Sequence, residues 1–381
     1  MFVTNLIIGK RNIRYGGKKM IPLVKTCIAD RNELMPRLEE VLYSGFVASG
    51  QATKDFEREL QNFIGNPNVL ALNSGTGALH IALSILKVGP GDEIISTPMT
   101  AEPTNTTIAI TGAKVIWADI DPNTGLISPN SIREKITKNT KAIMLVHYAG
   151  MVCDMNEINK ISKEYNIPVI EDAAHAFGSR YKGKIIGSNS RFTCYSFQAI
   201  KQLTTIDGGA IAFTNPDDMK EARKLRWFGL DRDVSRLEND ISRAGYKYEM
   251  NNVNATIGVV HMKNYPLILQ KCINNGKFFD HELKNVPGIN LLSYYNDTEP
   301  SYWLYTMKVK RRDDFIKMMN SNGISASPLH HRTDTHSVFS ESLCDLPGMD
   351  EFYREFVHIP SGWWLTENDR QRIVEVIKSG W

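Results

Sequence analysis

The chain has 381 residues, 42% of them apolar and 23% charged, with 45 Lys+Arg against 42 Asp+Glu. That length suits roughly two to three domains and a core large enough to need neither disulfide nor metal. The composition excludes a collagen, a coiled coil and bulk disorder, and a net charge of +3 is too small to indicate nucleic acid or a membrane surface as partner.

Residues 1–20 read as a basic N-terminal arm, in which Phe2, Val3, Leu6, Ile7 and Ile8 precede Lys10, Arg11, Arg14, Lys18 and Lys19. A signal peptide has the opposite order. Apolar stretches such as Ala142–Val146 fall far short of the ~18 to 20 residues that cross a bilayer, so a cytoplasmic protein is expected. Five scattered cysteines (Cys27, Cys153, Cys194, Cys272, Cys344), none at CxxC spacing, suggest neither a disulfide framework nor a zinc site.

Further along, short apolar runs predict buried strands at Glu93–Ser96, Lys114–Ala118, Ala142–His147, Pro168–Ile170, Phe192–Phe197 and Ala210–Phe213. Helical spacing falls between them, at Ser74–Lys87, Ser131–Thr137, Met155–Tyr165 and Asp217–Trp227. This alternation is that of an α/β sheet covered on both faces. Past about Met250 the pattern changes to one long helical stretch, Val253 to Leu283, then a strand at Tyr302–Val309 and helices at Asp313–Ser321 and Glu367–Lys378. We therefore expect a large domain over 21–250 and, over 251–381, a connecting helix with a smaller α+β domain.

Three motifs carry chemistry. Glu171 and Asp172 follow a buried strand, where open α/β sheets place their ligand crevice; an isolated pair there could equally cap the next segment. Lys201 comes 29 residues after Asp172, in a turn of small residues before Gly208–Gly209. A surface lysine is the ordinary reading, whereas one enclosed by a strand end and a glycine pair would be desolvated and nucleophilic. Ser74–Gly77 opens a helix with free backbone N–H groups, a phosphate cradle, although small residues also serve there as plain caps. Together the three suit pyridoxal phosphate (PLP), which offers a phosphate, a pyridine nitrogen that wants a carboxylate and an aldehyde that condenses with lysine. Ser196 would add a hydroxyl to the phosphate.

The segments SGTGALH, EDAAHAFG, SFQAIKQLTTIDGG, GYKYEMNNVNATIG and IPSGWWLT occur in that order. From about Met20 onward the chain resembles the DegT-type sugar-nucleotide aminotransferases, fold-type-I PLP enzymes. The resemblance implies an aspartate-aminotransferase-like fold: a mixed, mostly parallel seven-stranded sheet between helices, plus the smaller domain. It makes Lys201 the Schiff-base lysine, Asp172 the partner of the pyridinium, and His175 a neighbour of the ring hydroxyl. Gly75, Thr76 and Ser196 become the phosphate site. Lys247 stands where many relatives have an Asn that reaches the partner subunit's cofactor phosphate, which implies a homodimer with shared active sites; an exposed lysine is the alternative, with Asn251 and Asn252 as substitutes. His330 or His331 would touch substrate at the mouth of the site. The implied reaction moves an amino group from L-glutamate to a nucleotide-linked keto sugar, for amino-sugar biosynthesis. Two alternatives are a PLP-dependent sugar 3-dehydratase of the same family, whose members have His where this chain has Lys201, and a non-catalytic binder of PLP or sugar nucleotide. No metal site is expected, because His330, His331 and His336 are loosely arranged and HExxH is absent. Arg226 and Arg232 could meet a diphosphate or simply end a helix. Trp363 and Trp364 read as packing. One departure stands out: where many relatives carry an aromatic over the pyridine ring, this chain reads Met99–Thr100–Ala101–Glu102–Pro103.

Overall fold

The computed structural model describes residues 14–15 and 18–381, so most of the arm assigned to 1–20 lies outside the described residues. The central sheet has seven strands: β1 Val69–Leu72, β2 Glu93–Ser96, β3 Lys114–Trp117, β4 Thr140–Val146, β5 Val169–Asp172, β6 Phe192–Ser196 and β7 Gly209–Phe213. Their order is β1-β7-β6-β5-β4-β2-β3. All neighbouring pairs from β6 to β3 are parallel, and only β7 runs against both of its neighbours. The mixed, mostly parallel sheet expected above is what the chain forms.

Burial on both faces explains the strand composition. Ile94, Ile95, Ile143, Met144, Leu145, Ile170, Cys194 and Ile211 are each at most 1% exposed, the continuous apolar reading of a sheet sandwiched by helices. The helix Gly75–Ile85 packs against β6 and β7, and Gln51–Ile64 against β1. The parallel run aims the carboxyl ends of β2, β4, β5 and β6 at one edge, and Asp172 is the last residue of β5.

A second core surrounds a three-stranded antiparallel sheet of β8 Ile289–Leu291, β9 Tyr305–Val309 and β10 Phe356–Ile359, with β9 in the middle. Phe279, Phe315, Met319, Ile373 and Ile377 fill it from the helices Tyr265–Leu283, Arg312–Ser321 and Glu367–Lys378. The single helix expected over Val253–Leu283 is two, Asn252–Met262 and Tyr265–Leu283. Pro266 explains the break: it has no N–H to give to the previous turn and is placed in the first turn of the second helix, where that donor is not needed.

Candidate active site

β1 ends at Leu72, and the chain enters the helix Gly75–Ile85 through Ser74, whose extended backbone (φ −164°, ψ 158°) and hydroxyl cap it by accepting from the Gly77 N–H at 3.0 Å. The N–H groups of Gly75 and Thr76 bond to nothing among the described residues, leaving two donors at the positive end of a helix. Two glycines make that opening possible. A Cβ on Gly75 would lie 2.9 Å from the Ser196 Cβ, and one on Gly209 would lie 2.4 Å from the Ser74 carbonyl. The ends of β6 and β7 thus press directly on the helix start, and Ser196 stands beside it.

Asp172 is 4% exposed and Thr104 1%. The Thr104 hydroxyl donates to Asp172 Oδ2 at 2.6 Å, and the Ala174 N–H donates to Oδ1 at 3.0 Å. Because Thr104 gives its one proton to the carboxylate, its oxygen accepts from the Thr100 hydroxyl, 2.7 Å away. Burial pushes the Asp172 carboxyl above its usual range, opposed first by Thr104, then by the Ala174 N–H and the charges of Lys201 and His147. Next to it, Glu171 Oε2 pairs with His147 Nε2 at 2.8 Å, both side chains fully buried. The Cys153 N–H points at His147 Nδ1 at 3.2 Å, so the ring proton sits on Nε2 and is given to Glu171.

Lys201 lies in the turn between β6 and β7 and is half-buried. Burial pulls its amine down to about 7, with the Asp172 charge acting the other way. Its Nζ stands 4.0 Å from the centroid of the Trp303 ring. The His175 ring stacks on Trp303 at 4.0 Å, and the His330 ring lies nearly parallel to His175 at 5.3 Å. The Ala149 N–H directed at His175 Nδ1 (3.3 Å) puts the neutral ring's proton on Nε2. Burial, followed by the nearby Lys201 charge, holds His175 well below its ordinary value and His330 at about 3. His330 Nε2 is buried and has no partner among the described residues.

The structure thus gathers Asp172, His175, Lys201 and His330 into one cluster and sets Ser196 against Gly75. It does not bring in His331, which is exposed and bonds Thr335 at 3.0 Å. Lys247 is exposed as well, its carbonyl accepting from Asn73 and its ammonium 3.9 Å from the centroid of the Trp227 ring of its own chain. Arg226 is buried against Glu57 and Arg232 pairs with Glu249, each at 2.6 Å. They line a cleft of about 1340 Å³ beside the helix Gln51–Ile64. With these carboxylates already on them, neither arginine is a free receptor for a diphosphate. Thr100, Thr104 and Trp303 were not singled out from the sequence. The first two lie in and just before the helix Glu102–Ile110, whose Pro103 and threonine run disguise its period, although Pro in a first turn is itself a helix-start signal.

A mostly parallel sheet with a carboxylate at one strand end and a depressed lysine after the next defines the class: a fold-type-I enzyme. Solved structures agree over nearly the whole chain. AtS13 from Actinomadura melliaura is 36% identical, with a TM-score of 0.93 over 96% of this chain and 100% of that one. The sugar aminotransferase CalS13 from Micromonospora echinospora is 35% identical, with a TM-score of 0.92 over 95% and 100% of the two chains. The PLP form of Spr1654 from Streptococcus pneumoniae is 28% identical, with a TM-score of 0.86 over 94% and 98%. The chain belongs to the DegT/DnrJ/EryC1/StrS aminotransferase family, whose model matches residues 29–378.

Proposed function

We propose that this protein is a PLP-dependent aminotransferase that moves an amino group from L-glutamate to a keto carbon of a nucleotide-linked deoxysugar. The observation that carries the reading is the arrangement of Lys201 in the turn after β6, its amine over Trp303 and the stacked His175, near the buried Asp172 that Thr104 and Ala174 hold; burial there pulls the amine down. The residues fit the cofactor: the helix start offers two unpaired N–H groups where a side chain on Gly75 would intrude, and the carboxylate at the far end suits a protonated pyridine. Gly75, Thr76 and Ser196 would take the phosphate, Asp172 the ring nitrogen, His175 Nε2–H the ring hydroxyl, and Lys201 the aldehyde carbon. When bound, PLP supplies an electrophilic carbon and an electron-accepting ring.

The protein's own groups do the rest. Asp172, fixed by Thr104 and Ala174, keeps a proton on the ring nitrogen. The Lys201 Nζ, which burial favours in its neutral form, takes the proton from the α-carbon of the amino donor and later returns one to the sugar carbon. The neutral His330 presents its unpartnered Nε2 to the bound substrate. In this reading residues 21–250 hold the cofactor and 251–381 complete the wall. A homodimer sharing its sites is supported by the exposed apolar side chains of Leu42, Tyr43 and Phe46, with Lys247 reaching the partner's phosphate.

The test is direct. The purified protein with PLP and L-glutamate should yield 2-oxoglutarate, and a panel of nucleotide-linked keto sugars should identify the acceptor. Lys201→Ala should abolish turnover and covalent capture of PLP; a variant that still transaminates would overturn the assignment.

A further inference from the structure

Residues Ser301–Leu304 cross the lysine turn as a strap. The Gln202 side-chain amide donates to the Ser301 carbonyl at 2.9 Å, and the Trp303 Nε1–H donates to the Ile200 carbonyl at 3.1 Å. The residues on both sides of Lys201 are therefore tied to the same strap, and between those two bonds its amine lies 4.0 Å from the Trp303 centroid. The strap itself is held on several sides. The Ser301 N–H donates to Ser179 Oγ at 3.0 Å, and the Leu304 N–H to the Ala149 carbonyl at 3.3 Å. Tyr302 is left-handed (φ 49°), a conformation that a bulky residue adopts only where its surroundings fix it. Its hydroxyl donates to Asp280 Oδ2 at 2.6 Å, and Tyr294 and Tyr305 donate to Oδ1 at 3.1 and 2.9 Å. Trp303 is 4% exposed and stacked on His175, so its ring has little freedom to turn.

We propose that Trp303 is the positioning residue of Lys201: its indole N–H fixes the lysine turn and its ring holds the free ammonium in place whenever the amine is not bonded to the cofactor. The inference rests on the reading of Lys201 as the cofactor lysine. An ammonium over an indole face is attracted by the ring quadrupole, most strongly where water is scarce. The attraction favours the protonated amine and so opposes the effect of burial; Asp172, His175 and His330 are the other titratable groups around it.

The test uses the full-length cofactor-free enzyme, reductively methylated with ¹³C-formaldehyde, in which the Lys201 resonance is assigned by its loss in Lys201→Arg and titrated by NMR. Tetrafluorotryptophan placed at position 303 keeps the ring's shape and its N–H while removing the negative face. The amine should then titrate lower by roughly 0.5 to 1.5 pH units. Trp303→Leu should show a similar fall and should also lower turnover on the order of tenfold to a hundredfold, with the KM for the amino donor little changed, since a misplaced group costs rate more than binding. A titration unmoved by fluorination would overturn the proposal even if Trp303→Leu were unstable, because a merely structural indole would lower the melting temperature without moving the amine. Covalent capture of PLP by Lys201→Ala would instead sink the underlying reading, so the two failures are distinct.

Discussion

Replacing Thr104 with Val removes one hydroxyl from a site where both partners are almost fully buried and leaves the side chain's shape intact. The Asp172 carboxylate then keeps only the Ala174 N–H, and the Thr100 hydroxyl loses its acceptor. A hydrogen bond to a charged group contributes about 1.5 to 3 kcal/mol. In the cofactor-free protein proton uptake, which burial favours, offers the carboxyl a partial escape from that loss. It has no such escape when it must face a protonated ring nitrogen. The loss therefore falls on binding, and PLP affinity should weaken roughly tenfold to a hundredfold. Equilibrium dialysis at pH 7.5 measures it, with Thr104→Ser as the comparison that restores the hydroxyl. If Thr104→Val bound PLP as the wild type does, or Thr104→Ser fell as far as the valine variant, the carboxylate would not be held in the way argued here.

Other outcomes follow from the same geometry. The rate of PLP capture should rise with pH through about 7 and then level off, since only the neutral Lys201 amine attacks; stopped-flow absorbance would show it, and an inflection near 10 would contradict it. Gly209→Ala puts a methyl 2.4 Å from the Ser74 backbone, and should cost about 1 to 3 kcal/mol in denaturant unfolding and weaken PLP binding, whereas Gly89→Ala, with open space around it, should do neither. His358 is fully buried between the Tyr148 and Thr306 hydroxyls, and burial holds it at about 3. The unfolded chain binds a proton near 6.5 that the native state refuses, so stability falls as pH drops below that value. His358→Gln should shrink the loss between pH 7 and pH 5 by about 2 kcal/mol, read from urea midpoints at the two pH values.

The parts of the fold that could be read from sequence are those in which burial on both sides leaves an unbroken apolar run. β2, β3, β4 and β6 appear within a residue or two of their bounds for that reason, and Glu171–Asp172 stand out as the first charges after such a run. The helix Glu367–Lys378, with its Thr366–Asp369 capping box, is found to the residue. β1, VLAL, holds a single β-branched residue, so its composition does not separate a short buried strand from a helix. β10 follows the helix Pro347–Glu355 with no intervening loop, so no turn residue marks where its four buried residues begin. Of the helices Arg31–Tyr43 and Gln51–Ile64, only the second carries a clear apolar stripe, Phe56, Leu60 and Ile64.

The site divides along a different line. Residues whose proposed role depends on their position on the backbone, such as Asp172, Lys201 and Gly75, carry local signals because a strand end or a helix start must be built around them. Residues that act by reaching across the molecule carry none: Trp303 is 102 positions from Lys201, and only the strap's bonds to residues 200 and 202 reveal what it faces. The same contrast bears on the missing aromatic after β2. In that stretch Thr104 sends its hydroxyl to Asp172 and Thr100 sends its own to Thr104, while the aromatic rings near Lys201 come from Tyr148, His175, Trp303 and His330. Two of those four lie beyond residue 250, on segments that also pack against the second core or its flanking loops. The lysine's surroundings therefore depend on how the C-terminal part of the chain docks. A substitution in the second core, such as one that frees Tyr302 from Asp280, should reach the amine without touching it.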